Sequence, residues 1–195
     1  MSGGPPHRDH GESGQALVEF ALILPILVLV IFGLFEFSFV MNTSSSVNYA
    51  SRDGAMIAAE GGANPGTDCV VLQVIERDLV APAVPPRVQR VEIYWSDLNG
   101  AQRGAAVNVY DRVGSTTCNY ADGSSVTVPY TLTTPGYLEP DRCDVLAGCD
   151  VSHPSVDTVG VRITYQHQWA TSFGRYIAPT VIFRKSTAIR MEPQL

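Results

Sequence analysis

The feature that most constrains this chain is an apolar run near its N-terminus, from Ala16 to Met41, which only Glu19 and Glu36 interrupt with charge. The run is longer than the roughly 20 residues that an α-helix needs to cross a hydrocarbon core. It is also longer than the apolar core of a secretory signal, which has about 7–15 residues. The sequence therefore predicts a retained, single-pass transmembrane helix over about residues 16–41.

The residues before this run have a different composition. The first fourteen, MSGGPPHRDHGESG, contain no apolar residue after Met1 and are rich in Gly, Pro and charged residues. A segment of this kind buries too little surface to fold alone, so residues 1–14 are predicted to be a flexible cytoplasmic leader. The formal net charge of the chain is −6. Because phosphate binding needs clustered basic residues, we expect no nucleic-acid partner.

The four cysteines, Cys69, Cys118, Cys143 and Cys149, all follow the apolar run. An even number suits disulfides in an oxidising compartment, which places the C-terminal part outside the cytoplasm and the N-terminus inside. The short gap between Cys143 and Cys149 favours pairing these two, which leaves Cys69 for Cys118; the other two connectivities stay open. Because no Cys-x-x-Cys pair occurs, we expect no metal site.

Glu19 is the residue of the run that most needs an explanation. A carboxylate inside a membrane span costs a few kcal/mol and is by default a functional residue with a partner. The alternative is a carboxylate that reaches the headgroups from the first turn of the helix, where it complements the helix dipole. The physical chemistry of the residue alone does not separate these two interpretations.

The residues around Glu19 resemble a known processing site. Gly14 is followed by Gln15-Ala-Leu-Val-Glu19-Phe20 and then Ala-Leu-Ile-Leu-Pro25. This pattern resembles type IV prepilins and, more closely, the TadE-like and TadG-like minor pseudopilins of tight-adherence (Tad, or Flp) pili, over roughly residues 14–59. The resemblance implies that a prepilin peptidase cuts after Gly14 and that Glu19 becomes the fifth residue of the mature chain.

The resemblance also implies a role for the helix in assembly. Cleavage would expose the ammonium group of Gln15, and Glu19 lies one helical turn away, where it can pair with that group or with the N-terminus of a neighbouring subunit. Pro25 predicts a bend that is either functional or merely tolerated. We expect Glu36 to be solvated at the outer interface, with an intersubunit contact as the alternative. The implied partners are the peptidase, other pilins and pseudopilins, the pilus assembly machinery and membrane lipid.

The helix is predicted to continue beyond the membrane. Small and apolar residues recur every three or four positions, which is typical of one helix face: Thr43, Val47, Ala50, Gly54 and Ile57. Glycines at 61 and 62, with Asn64 and Pro65, give a stop signal. One helix over residues 15–60 would be about 70 Å long. The alternative is a frayed linker over residues 42–46.

Residues 66–195 are predicted to form an extracytoplasmic domain. A short helix over residues 69–80, capped by Asp68, precedes segments whose apolar residues alternate. Strands are expected at residues 88–96, 105–112, 156–169 and 180–191, with a hairpin turn at Asn99-Gly100. The expected fold is α+β and pilin-like, with the long helix packed on the short helix and on an antiparallel sheet of about four strands.

The long loop over residues 114–155 is the least regular part of the domain. Asp141, Asp144 and Asp150 lack the spacing of a calcium loop, so we expect a solvated acidic loop. No catalytic motif includes His153 or His167, which are isolated in the sequence. The aromatic residues Trp169, Phe173 and Tyr176 are either an exposed adhesive patch or part of the core, with the core favoured for Trp169.

These observations support three functions of different kinds. The first is a membrane-anchored minor pseudopilin that is processed after Gly14, acts in the assembly of a Tad pilus and is incorporated in it or stays in the cell membrane. The second is an unprocessed single-pass protein that presents a binding or cell-adhesion domain. The third, an anchored enzyme, has no catalytic motif to support it, so we expect neither an enzyme nor a cofactor.

Overall fold

The first element of the fold is a single long helix. The structure is a computed structural model that describes residues 12–120, 123–146, 148–151, 153–178 and 180–191, so most of the predicted leader lies outside it. Helix α1 (Glu12–Gly61) is continuous over its whole length. The last three residues of the predicted leader are therefore helical. The alternative of a frayed linker at residues 42–46 is wrong, because this segment is helical too.

The residue that follows α1 is a glycine that no other residue type would replace easily. Gly62 has a φ of 53°, and its N–H donates to the carbonyl of Ala58 at 3.1 Å. This left-handed residue after the last turn is a common helix stop. A Cβ atom at Gly62 would also lie only 2.2 Å from Oδ2 of Asp144. The predicted stop signal is confirmed, and helix α2 (Thr67–Asp78) begins a few residues later.

The rest of the domain is mostly an antiparallel sheet. Its five strands are ordered β5-β2-β1-β6-β7, and β3 pairs with β4 in a separate two-stranded sheet. Helix α3 (Ser172–Ile177) connects β6 to β7. The strands are β1 (Val88–Ser96), β2 (Gln102–Asp111), β3 (Thr116–Asn119), β4 (Ser125–Val128), β5 (Thr131–Thr134), β6 (Thr158–His167) and β7 (Val181–Arg190).

The α+β prediction is confirmed, with one strand more in the main sheet than expected and a separate β3–β4 pair that the sequence did not predict. The four predicted strands correspond to β1, β2, β6 and β7, and β1 pairs with β2 across the predicted turn. The fifth strand, β5, lies in the loop that was predicted to be irregular and pairs with the edge strand β2. It has only four residues, which is too short for alternation to be recognised.

The core lies where the outer half of α1 meets α2 and one face of the sheet. Thr43, Val47, Ala50 and Gly54 are buried, as the predicted face requires, and Ile57 is half-buried. A Cβ atom at Gly54 would lie 3.3 Å from the side chain of Ile75 on α2 and 3.4 Å from that of Val161 on β6. Small residues along this face therefore let α1 approach α2 and β6 closely.

The opposite face of the sheet carries a second tight contact. Gly160 on β6 lies opposite Tyr94 on β1, and a Cβ atom there would lie 2.2 Å from the tyrosine ring. Tyr94 is fully buried although it faces away from α1. Its hydroxyl donates to the carbonyl of Gly100 at 3.1 Å, and the guanidinium of Arg162 lies 4.7 Å from its ring centroid. The ring therefore covers the backbone of β6.

We expect Gly160→Ala to lower the free energy of unfolding by about 1–3 kcal/mol, because the added methyl group displaces the ring of Tyr94. Chemical denaturation of the full chain in detergent micelles, followed by near-ultraviolet circular dichroism, measures this change. The matched control is the same substitution in a Tyr94→Ala background, where the loss should be smaller. An equal loss in both backgrounds would contradict the contact.

Candidate functional site

The first part of α1 is not covered by the rest of the described chain. Residues 14–32 are exposed on every side of the helix although nearly all are apolar. Among the described residues, α1 is the one helix long and apolar enough to cross a membrane; its most apolar window has a mean hydropathy of 2.8, and none of that window is buried. An exposed apolar surface of this size indicates a segment that another apolar phase covers.

The predicted processing residues lie at the start of this exposed segment. Apart from the helix's own backbone and the adjacent residues, no heavy atom of the described chain lies within 4 Å of a Cβ position built on Gly14. The side-chain amide of Gln15 donates to Oε1 of Glu19 at 3.2 Å. The structure therefore brings Gln15 and Glu19 together, one turn apart on the same side of the helix. Phe20 is exposed beside them.

Pro25 lies within α1 and does not end it. A proline inside a helix removes one backbone donor and crowds the preceding turn. The helix nevertheless continues on both sides of this residue, and the bend expected at Pro25 stays a prediction.

Glu36 is the first residue along the described part of α1 that is buried, and it bonds the helix to the domain. Its side chain is only 4% exposed, and its carboxylate accepts hydrogen bonds from the backbone N–H groups of Ala170, at 3.2 Å, and Thr171. The expected solvation of Glu36 is therefore wrong. Sequence reasoning missed this contact because the donors are backbone groups more than 130 residues away, which no side-chain pattern reveals.

The segment bound by Glu36 contains Trp169, Phe173 and Tyr176, the aromatic residues that the sequence assigns either to an exposed patch or to the core. Trp169 is half-buried, its indole N–H donates to the carbonyl of Ala178, and its ring occupies the space in which a Cβ atom of Gly174 would lie. Tyr176 is 89% exposed. The side chain of Phe173 lies outside the described residues. Trp169 thus packs within its own segment, whereas Tyr176 projects from it.

A buried ion pair fixes the loop that follows β5. Arg142 donates from Nη2 to Oδ1 of Asp68 at 2.6 Å, and both side chains are almost fully buried. Oδ2 of Asp68 accepts hydrogen bonds from Asn108 at 2.9 Å and from Tyr110 at 2.8 Å. The prediction that Asp68 caps α2 is wrong, because its carboxylate is used by this network.

The helix cap comes instead from a residue that the sequence did not single out. The carboxylate of Glu139 accepts the backbone N–H of Gly66 at 2.9 Å and that of Asp68 at 2.7 Å, at the first turn of α2. Asp144 in turn accepts the N–H of Ala63 at 2.8 Å, just after α1. The predicted acidic loop is therefore partly buried against the corner between the two helices, not simply solvated.

The pKa shifts of Arg142 and Tyr110 favour the protonated forms that donate hydrogen bonds to Asp68. Burial alone would lower the pKa of Arg142, but the nearby carboxylate of Asp68 outweighs it and the pKa is raised. Burial raises the pKa of Tyr110 far above its usual range, and Asp68 raises it further. Arg142 therefore stays charged and Tyr110 stays a neutral donor at physiological pH.

His153, which appeared isolated in the sequence, has close partners in the fold. Its Nδ1 lies 2.8 Å from Oδ2 of the buried Asp157, and its ring stacks on that of Trp95 with 4.1 Å between centroids. Asp157 also accepts hydrogen bonds from the hydroxyl of Tyr137 and the N–H of Cys143. These contacts explain the position of His153 as a link between the loop and β1.

Both predicted disulfides are confirmed. Cys69 on α2 is bonded to Cys118 on β3, and Cys143 is bonded to Cys149. The first bond ties the two-stranded sheet to α2, and the second closes a short loop. Within the described ranges there is no group of three or more His, Cys, Asp or Glu residues that could hold a metal ion.

This geometry defines a class of protein. A long N-terminal helix with an exposed apolar first half and a second half packed on a small α+β domain is a pilin-like architecture. The family model described as TadE-like protein matches residues 14–56. The match starts at the predicted cleavage glycine and confirms the resemblance: α1 carries a TadE-like segment. Comparisons with curated proteins and with solved structures found no significant match.

We expect loss of the Glu36 carboxylate to release the segment after β6. In Glu36→Leu the N–H groups of Ala170 and Thr171 lose their acceptors, so their hydrogen exchange should accelerate about tenfold or more, as for a lost hydrogen bond to a charged group. Exchange measured by mass spectrometry on the full chain in micelles reports this change. Glu60→Gln, at an exposed position of the same helix, is the control. Unchanged exchange in Glu36→Leu would contradict the contact.

Proposed function

We propose that this chain is a membrane-anchored minor pseudopilin that takes part in assembling a Tad-type pilus after a prepilin peptidase removes its leader behind Gly14. The observation that carries the proposal is the coincidence of three features at one place. The TadE-like match begins at Gly14, the apolar run begins two residues later at Ala16, and the side chain of Gln15 is hydrogen-bonded to that of Glu19 one helical turn further along. The role is structural and not enzymatic.

The chemistry of the helix start suits such processing. Hydrolysis of the peptide bond after Gly14 converts the backbone nitrogen of Gln15 into an ammonium group, which lies one turn from the Glu19 carboxylate. A lone carboxylate is costly in a hydrocarbon environment, and a lone ammonium group is as well. Pairing the two, within one chain or between neighbouring chains, lowers both costs. Glu19 would then set the height at which one subunit's helix lies beside the next.

The proposed topology places the domain outside the cytoplasm. Both disulfides lie in the domain beyond α1, and disulfides persist in oxidising compartments. The leader then lies on the cytoplasmic side, and α1 crosses the cell membrane once. Partners in this arrangement are the peptidase, other pilins and pseudopilins, the assembly machinery and lipid.

A second candidate function is a membrane-anchored binding module. It is favoured by an exposed apolar group at the Cys143–Cys149 loop, where Val145 is 61%, Leu146 66% and Val151 99% exposed. A ligand or surface contacting these side chains would bury them. In this function Gly14 and Glu19 have no role beyond membrane insertion.

Processing is tested on the native protein. We expect the mature chain to begin at Gln15, and intact-mass measurement of protein isolated from producing cells reads this directly. Gly14→Val should retain the leader, because a branched side chain beside the cut hinders the peptidase. Gly33→Val is the matched control at another position without neighbours within 4 Å. A native chain beginning at Met1 or Ser2 would remove the processing claim.

Glu19→Gln separates the two candidate functions. The substitution keeps the shape of the side chain but removes the charge that pairs with the ammonium group. We expect normal membrane insertion and at least a tenfold loss of pilus assembly, as for an ion pair worth about 1.4 kcal/mol or more. Sheared pili and membrane fractions are quantified by immunoblot, with Glu60→Gln as the charge-loss control. Unchanged assembly would favour the binding module.

A further inference from the structure

The segment held by Glu36 forms one wall of a cavity that the proposed function does not use. The cavity has a volume of about 300 Å³. Its walls come from the end of β6, the connection that contains α3, and the turn before β1. They are formed by Arg87, Gln166, His167, Gln168, Trp169, Arg175 and Thr180.

The charge of this cavity is positive in a chain that is negative overall. Two of its lining residues are arginines, and none is acidic. Among the described residues neither Arg87 nor Arg175 forms an ion pair, and the guanidinium of Arg87 donates to the side-chain oxygen of Gln168. Local positive charge of this kind favours an anionic ligand.

His167 gives a second and independent indication of a ligand. It is only 4% exposed, and neither of its ring nitrogens has a hydrogen-bond partner. Its ring packs between those of Trp169 and Phe183, at centroid distances of 5.4 and 5.7 Å. Buried polar groups are normally hydrogen-bonded, so an unpartnered imidazole in the wall of a cavity indicates a missing partner.

The protonation state of His167 fits a donor to an anion. Burial lowers its pKa, the charge of Arg87 lowers it further, and the carboxylate of Glu36 acts in the opposite direction. A neutral imidazole still carries one N–H group that can donate to an oxygen. The guanidinium groups of the two arginines would supply the positive charge that attracts the anion.

The height of the cavity along α1 identifies the source of the anion. Residues 16–35 cover about 30 Å of helix, which is one hydrocarbon thickness. Glu36 is the next residue, and it holds Ala170 and Thr171, which neighbour the cavity wall. Tyr176 projects from this segment, and tyrosine is enriched where membranes meet water. In the proposed transmembrane topology the cavity therefore lies in the outer headgroup layer.

We propose that this cavity binds the phosphate group of an anionic phospholipid in the outer leaflet, with Arg87 and Arg175 as its charge partners and His167 as a hydrogen-bond donor. The inference rests on the membrane anchoring described under the proposed function, but not on processing or pilus assembly. The bound lipid would hold the domain against the membrane surface at a second point beside the helix.

The test uses the full chain in nanodiscs made of phosphatidylcholine with an equal part of phosphatidylglycerol. Native mass spectrometry after release into detergent counts the lipids that stay bound. We expect preferential retention of phosphatidylglycerol, and about tenfold less of it in the double variant Arg87→Gln/Arg175→Gln, since each basic residue contributes to binding at an anionic surface. The control is Arg77→Gln/Arg103→Gln, which removes the same charge elsewhere and should retain the lipid like the native chain.

Three results would overturn the inference. The first is equal retention of the two lipids by the native chain, and the second is equal loss of phosphatidylglycerol in the two double variants. The third is displacement of the lipid by inorganic phosphate at millimolar concentration, which would identify a site for a soluble anion. A different result separates the two proposals: if alkaline carbonate extracts the chain from native membranes, the chain is not a transmembrane protein. Both the lipid site and the proposed function would then be wrong.

Discussion

The fold depends on how closely α1 approaches the domain. Gly54 leaves only about the width of one methyl group between the helix, Ile75 on α2 and Val161 on β6. Because interiors are packed near crystal density, a larger side chain there would push the helix away from both elements. Small residues in the outer half of α1 thus permit its close packing on α2 and β6.

Glu36 fixes the helix to the domain at a second height. Its carboxylate accepts two backbone N–H groups from the connection after β6, and hydrogen bonds to a charged group contribute about 1.5–3 kcal/mol each. The buried face of α1 begins at Thr43 and continues past Gly54. Glu36 extends this contact by about 10 Å towards the exposed apolar half, at 1.5 Å per residue. The charged residue that looks least suited to the apolar run therefore connects it to the domain.

The features that sequence reasoning predicted correctly are those with a local signal. The exposed apolar half of α1, its small-residue face, four strands and the glycine stop all follow from the spacing of residue types within one element. The roles of Asp68 and Glu36 did not follow, because each depends on a partner far away in the sequence. Strand β5 was missed for another reason: its four residues pair at a sheet edge without an apolar pattern of their own.

The inner face of β2 shows why the structure of the domain is harder to predict from sequence than that of the helix. Asn108 and Tyr110 face the core there, opposite Ile93 and Val91 on β1, while Val107 and Val109 lie on the other face.

This inversion of the usual pattern is stable because Asp68 accepts hydrogen bonds from Asn108 and Tyr110, and because Arg142 compensates the charge of Asp68. Such a network specifies its fold through pairs that are distant in the sequence. Helix α1 instead needs an apolar membrane segment and a face of small residues. Both are specified by residue types at fixed spacing, which a family model can recognise.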